Sequence, residues 1–264
     1  MSRVDLDLID YVAIVTTVNP PAELFDEAQI TGLRDAVQKA TADGARAMVI
    51  KSDAPLFSGG ADVSLFHGKT QQEGRDSLSG AMELIAELED APFPIIAAVN
   101  GMCFAAGLEL ALACDFIYAS DDTVFSQVEA MIGATTFLGG AYRLAERCGP
   151  AIAREIVYTT DHYSAEQFAQ WNIVNRVVPL AELHSTAVTV AKKIAKGPTM
   201  AHLQTKRIIR HALTHNSRAT DPFVLEEATS VFETRDMQYA VGLLLEQGAR
   251  KFIKNHDEVS FEGR

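Results

Sequence analysis

The stretch Pro94–Ser120, PIIAAVNGMCFAAGLELALACDFIYAS, constrains this chain more than any other. Ile95–Val99 is an apolar run of strand length, short enough to be buried on both faces. Asn100-Gly101 is turn chemistry. Ala105-Ala106-Gly107 are small residues of the kind found where a backbone closely approaches a ligand or another loop. Leu108–Cys114 favours a helix, and Phe116–Ala119 returns to strand character. Glu109 alone interrupts the helical run with a charge. Two readings of it stand at this point. It is either a first-turn carboxylate favoured by the helix dipole or a buried general acid/base with a raised pKa. The N–H groups at that helix start are free to face an oxyanion.

A chain of 264 residues, 48% hydrophobic and 22% charged, can bury one large core or a core with an appended helical part. Its net charge of −12 opposes non-specific nucleic-acid binding. Cys103, Cys114 and Cys148 are odd in number, lack metal-ligand spacing and lie in apolar surroundings. They are expected to be free thiols in a reducing compartment. The opening residues MSRVDLDLIDY do not read as a signal peptide, and Asn100, Gly101 and Glu109 break the longest apolar stretch, so a cytoplasmic location without membrane association is expected.

Along the chain, Asp5–Val18 predicts one or two strands, stopped at Asn19-Pro20-Pro21. Asp26 caps a predicted helix carrying Ile30, Leu33, Val37 and Ala40, which ends at Asp43-Gly44. Ala47–Ile50 predicts a buried strand. Phe57–Asp62, FSGGAD, is a glycine-rich turn after it, either a plain loop or backbone shaped to present N–H groups. Lys69–Gly80 is polar and is expected to be a surface loop; Ser77–Glu89 predicts a helix. Thr123–Gln127 predicts a short strand, with Glu129 directly behind it. Gly139-Gly140 opens a helix over 141–147 but lacks nucleotide-loop spacing. Ala151–Tyr158 and Ala165–Trp171 predict helices, the second capped by Ser164 and closed by Asn172 in left-handed conformation. Ile173–Val178 predicts the last strand. Four helices follow, over 187–195, 199–214, 221–232 and 237–252, the last two with long apolar faces.

Three segments together resemble the crotonase family, the enoyl-CoA hydratase/isomerase superfamily. They are FSGGADVSLF (57–66), AAVNGMCFAAGLELALACDFIYAS (97–120) and FSQVEAMIGATTFLGGAYRL (125–144). The resemblance covers residues 5–215 and extends loosely into the tail. It implies an α/β fold, a spiral of ββα units over residues 1–195, with a C-terminal helical region over 196–264 that closes the pocket and builds a homotrimer or a hexamer of two trimers. It also implies an acyl-CoA substrate and no cofactor beyond the coenzyme A of that substrate, and no metal. Glu109 and Glu129 fall on the family's two catalytic glutamates. Ala61 and Ala106 fall on the two backbone donors of its oxyanion hole. Leu24, Asp62, Val63, Met131, Gly133 and Phe137 fall on substrate-binding positions.

By that resemblance the expected reaction is hydration of a trans-2-enoyl-CoA. Glu109 would activate the water and Glu129 would deliver the proton to Cα. The alternatives are a Δ3-Δ2 enoyl-CoA isomerase relying on Glu129 and a non-catalytic acyl-CoA-binding relative. The chain departs from the family pattern at Val128, usually Pro, and at Thr136-Phe137, usually Pro-Gly. Phe137 is expected either to crowd the acyl pocket or to reposition the water. The basic residue common after the first strands is absent, which leaves Lys206, Arg250 and Lys251 as candidates for the phosphates of coenzyme A.

Overall fold

The structure is a computed structural model and describes residues 3–264; Met1 and Ser2, the first residues of the expected core, lie outside the described residues. Strands β1 (Val4–Ile9) and β2 (Val12–Thr17) form an antiparallel hairpin. Asp10 and Tyr11 between them both have positive φ, the geometry that suits the right-handed twist of a tight hairpin. Helix α1 (Glu27–Ala42) starts where the Asp26 carboxylate accepts the Gln29 N–H at 2.8 Å, and β3 (Ala47–Ser52) follows it. A short 3-10 turn at Val63–Leu65 leads to α2 (Gln71–Asp90).

The central stretch folds as β4 (Ile95–Val99), β5 (Met102–Phe104), α3 (Ala106–Ala113) and β6 (Phe116–Ser120). Next come β7 (Val124–Ser126), a 3-10 turn at Glu129–Ile132, α4 (Gly140–Cys148) and α5 (Pro150–Thr159). Then β8 (Tyr163–Ser164), α6 (Ala165–Gln170), β9 (Arg176–Val178) and α7 (Leu183–Ala195) complete the part that contains strands. The tail holds α8 (Thr199–Thr214), α9 (Ser217–Thr229), α10 (Arg235–Gln247) and α11 (Ala249–Lys254).

Among the described residues there are two sheets, one of six strands in the order β1-β2-β3-β4-β6-β9 and one of three in the order β5-β7-β8. From β2 to β9 the large sheet is parallel. A parallel sheet is covered on both faces, and β4 shows how. Ile95, Ala97 and Val99 enter the main core with Leu33, Leu84 and Leu108, while Ile96 and Ala98 enter a second core with Leu183, Ala187 and Ala191 of α7. A strand with no polar residue in five is what two buried faces demand.

Several boundaries differ from the sequence-based expectation for identifiable reasons. Residues 71–80 are helix, because Thr70 and Glu73 form a reciprocal capping box; the polar residues there are solvent-facing turns. Met102–Phe104, unassigned from sequence, is the strand that starts the second sheet and pairs with β7. The last strand shortens to Arg176–Val178, since Ile173 and Val174 bond back to Phe168 after left-handed Asn172. The helix expected over 221–232 starts earlier, at Ser217, capped by Asn216, and runs into a separate 3-10 turn at Ser230–Glu233. The helix expected over 237–252 breaks at Gly248 into α10 and α11. Cys103 and Cys114 are free and buried, and Cys148 is free and half-buried. No described helix is long and apolar enough to cross a membrane.

Candidate active site

Two loops at the ends of β3 and β5 are locked edge to edge. Ser58 accepts the Phe104 N–H at 3.0 Å, and the Phe57 and Ser58 N–H groups donate to Met102 at 3.1 Å. Gly107 permits this approach: a Cβ there would lie 2.5 Å from Ser58 Cβ. Ala105 takes φ 47, ψ −121, a conformation that L-residues avoid, and so turns the chain abruptly from β5 into α3. The turn leaves the N–H of Ala106 at the open start of α3, where no helical acceptor exists. Among the described residues neither the Ala106 nor the Ala61 N–H donates to a protein acceptor. Both residues line one cavity of about 150 Å³.

The same cavity receives Glu109 and Glu129. Glu109 is 2% exposed. Its Oε1 accepts the N–H groups of Leu138 and Gly140, each at 2.8 Å. The carboxylate therefore sits in the first turn of α3 and also against the start of α4. Burial pushes its pKa above the ordinary carboxylate value, and the Gly140 and Leu138 N–H groups and the Arg143 charge oppose that rise. Arg143 is itself buried. It donates to Leu138 O at 2.7 Å and to Glu89 Oε1 at 2.7 Å, which holds the Leu138 peptide in place from behind.

Glu129 heads the 3-10 turn after β7 and is half-buried. Burial pushes its pKa up to about 7; its own backbone N–H lowers it, and the Glu109 charge raises it. Gln127 is fully buried beside it. With its amide nitrogen facing Glu129, Gln127 donates to Oε1 at 2.7 Å and Oε2 at 2.8 Å. Two carboxyls thus share an apolar cavity, one tied to backbone donors and one to a side-chain amide.

Of the other residues singled out from sequence, Val63 and Phe137 line the cavity. Leu24, Asp62, Met131 and Gly133 lie outside its lining. Leu24 neighbours Gly59 in the loop before α1. Asp62 caps the 3-10 turn by accepting the Ser64 N–H at 3.0 Å. Met131 is exposed, and Gly133 closes its turn in left-handed conformation. Lys206 is committed elsewhere: its Nζ pairs with Asp115 at 2.9 Å and donates to Leu88 O at 3.1 Å. Sequence reasoning missed Gln127 and Arg143; Phe66, expected from its placement to shape the pocket, lines the cavity. The Gly139-Gly140 pair was the available signal for the α4 contact, because a Cβ on Gly140 would lie 2.6 Å from the end of the Gln127 side-chain amide and 3.0 Å from Glu109 Cγ. Among the described residues no group of three His, Cys, Asp or Glu side chains converges as a metal site would require.

A family model described as enoyl-CoA hydratase/isomerase matches residues 10–255. The chain belongs to the enoyl-CoA hydratase/isomerase family. It is 32% identical over 226 residues to a carnitinyl-CoA dehydratase of Salmonella enteritidis, spanning 83% of this chain and 81% of that one. It is 30% identical over 199 residues to the short-chain-enoyl-CoA hydratase of Clostridium acetobutylicum, spanning 75% and 76%. Among solved structures, an enoyl-CoA hydratase subunit of Geobacillus kaustophilus superposes with a TM-score of 0.90 at 25% identity, covering 99% of this chain and 98% of that one. DspI of Pseudomonas aeruginosa does so with a TM-score of 0.89 at 26% identity, covering 94% and 95%. The α/β crotonase-like fold expected from the sequence is the fold of this chain. As a member of this family, it is expected to act on enoyl-CoA thioesters in general terms, as a lyase-type enzyme.

Proposed function

We propose that this chain hydrates a trans-2-enoyl-CoA to the 3-hydroxyacyl-CoA. The observation that carries the reading is the convergence of Glu109, Glu129, Ala61 and Ala106 on one cavity. The thioester oxygen is placed between the Ala61 and Ala106 N–H groups, which stabilise the negative charge that builds there as water adds. Glu109, ionised, takes a proton from water as the water oxygen bonds to Cβ. The electrons of the Cα=Cβ bond move toward the thioester, and Glu129, protonated, delivers a proton to Cα. The carboxyl held near neutrality suits the acid, and the carboxyl anchored by two N–H groups suits the base. The substrate carries its own coenzyme A, and no other cofactor enters the step.

Loss of the 2-enoyl chromophore tests this. Wild type is expected to hydrate at least one trans-2-enoyl-CoA, and Glu109→Gln and Glu129→Gln are each expected to lower the rate by about 10² or more. Conversion of a 3-enoyl-CoA that needs Glu129 but not Glu109 would replace this reading with the isomerase. Silence on both substrates would leave a non-catalytic acyl-CoA-binding relative. The C-terminal helices carry exposed Leu225, Phe232, Leu245 and Ile253, and we assign that apolar surface to assembly as a homotrimer or a pair of trimers.

A further inference from the structure

We propose that the Phe66 and Phe137 rings restrict this site to acyl groups of about four to six carbons, an inference that rests on the acyl-CoA reading above. The two rings come from different parts of the chain. Phe66 follows the 3-10 turn at Val63–Leu65, and Phe137 lies in the loop before α4. Their centroids are 5.5 Å apart at an interplanar angle of 55°, a tilted contact that holds the two segments together. Both rings line it. The cavity is lined by the two carboxyls and by Ala61 and Ala106; apart from Ser77, the rest of its lining is apolar and includes Phe25, Leu78, Ala81 and Ile132 with the two rings.

The volume sets the limit. A cavity of about 150 Å³ is the size that accepts benzene, on the order of six heavy atoms. The thioester carbon, its oxygen, Cα and Cβ use about four of these. About two further carbons fill the rest, and those beyond meet the ring pair. Up to that point each methylene gains apolar contact, on the order of a fourfold gain in affinity. Beyond it, binding requires the Phe66–Phe137 contact to open.

Binding of saturated acyl-CoAs measures this without requiring turnover. Butanoyl-, hexanoyl-, octanoyl-, decanoyl- and dodecanoyl-CoA are titrated calorimetrically into wild type, Phe137→Ala and Phe66→Ala. In wild type the affinity is expected to rise on the order of 15-fold from butanoyl to hexanoyl and to fall by roughly tenfold or more at decanoyl. Phe137→Ala removes a phenyl ring from the wall and is expected to move the optimum to octanoyl or decanoyl; Phe66→Ala provides the same test from the other side. Continued tightening to dodecanoyl in wild type would overturn the proposal, as would an unmoved optimum in both variants, while leaving the acyl-CoA reading intact. Failure of folded wild type to bind any member would remove that reading and the proposal with it.

Discussion

Replacing Glu129 by Gln is expected to stabilise the free protein at alkaline pH, even as it removes the proposed catalytic acid. Burial raises this carboxyl from an ordinary 4.5 to about 7. A carboxyl raised on folding contributes stability that is fully present below its unfolded pKa and lost as pH rises through the folded value. The window here is roughly pH 4.5 to 7. At pH 8 a shift of this size corresponds to about 3 kcal/mol of lost stability. Donation by Gln127 to both carboxylate oxygens favours the ionised form, and the side chain is only half-buried, so about 2 kcal/mol is the working figure. Gln at this position carries no charge at any pH and keeps an amide partner for Gln127. Thermal melts at fixed protein concentration should show Glu129→Gln about 4–8 °C above wild type at pH 8. The advantage should shrink to about 2 °C at pH 5, where the folded carboxyl is almost wholly protonated and the unfolded one only partly so. A variant no more stable than wild type at pH 8, or one with the same advantage at both pH values, would refute the assignment of a raised, folding-linked carboxyl.

The pH profile of kcat/KM should be bell-shaped, with an alkaline limb near 7 from Glu129 and an acid limb from Glu109 above the ordinary carboxylate value. Gln127→Leu removes donors that favour ionised Glu129 and should move the alkaline limb upward with the acid limb unmoved; a merely structural role would leave both limbs in place. Gly140→Ala should lower kcat on the order of tenfold or more, because its Cβ displaces Gln127 or Glu109, and a rate unchanged in steady-state assays would contradict that geometry. Arg147→Met should cost about 3 kcal/mol in denaturant unfolding. Its half-buried guanidinium donates to Leu112, Cys114 and Ile173 carbonyls and so closes the C-terminal end of α3.

The parts of the molecule legible in sequence were those where one local rule governs. Ile95–Val99 could only be a doubly buried strand, and Asn172 took the left-handed conformation its place after a helix required. The resemblance of three segments carried the fold, and of the residues it singled out Ala61, Val63, Ala106, Glu109, Glu129 and Phe137 line the cavity while Leu24, Asp62, Met131 and Gly133 do not. What stayed hidden depends on contacts distant in sequence. Met102–Phe104 is a strand only because Val124–Ser126 lies beside it. The Thr70–Glu73 box outweighed the polarity of Lys69–Gly80, since a solvent-facing helix turn and a loop have the same composition. Lys206 looked available for an anion because nothing in its neighbourhood along the chain reveals Asp115, 91 residues away. Gln127 gave no signal at all, because a lone amide says nothing until its carboxylate partner is in view.

The tie between Glu109 and the start of α4 also bears on how such a site changes over evolutionary time. Leu138 and Gly140, which anchor the carboxylate, are joined to Phe137 in one short run of chain. Reactivity and substrate size are therefore not separable traits here. A lineage drifting toward larger acyl groups by altering Phe137 works on the peptide next to the one that steadies its base. Each enlargement of the pocket would call for a compensating change around α4, with Arg143 and Glu89 as the positions where such compensation would first be selected.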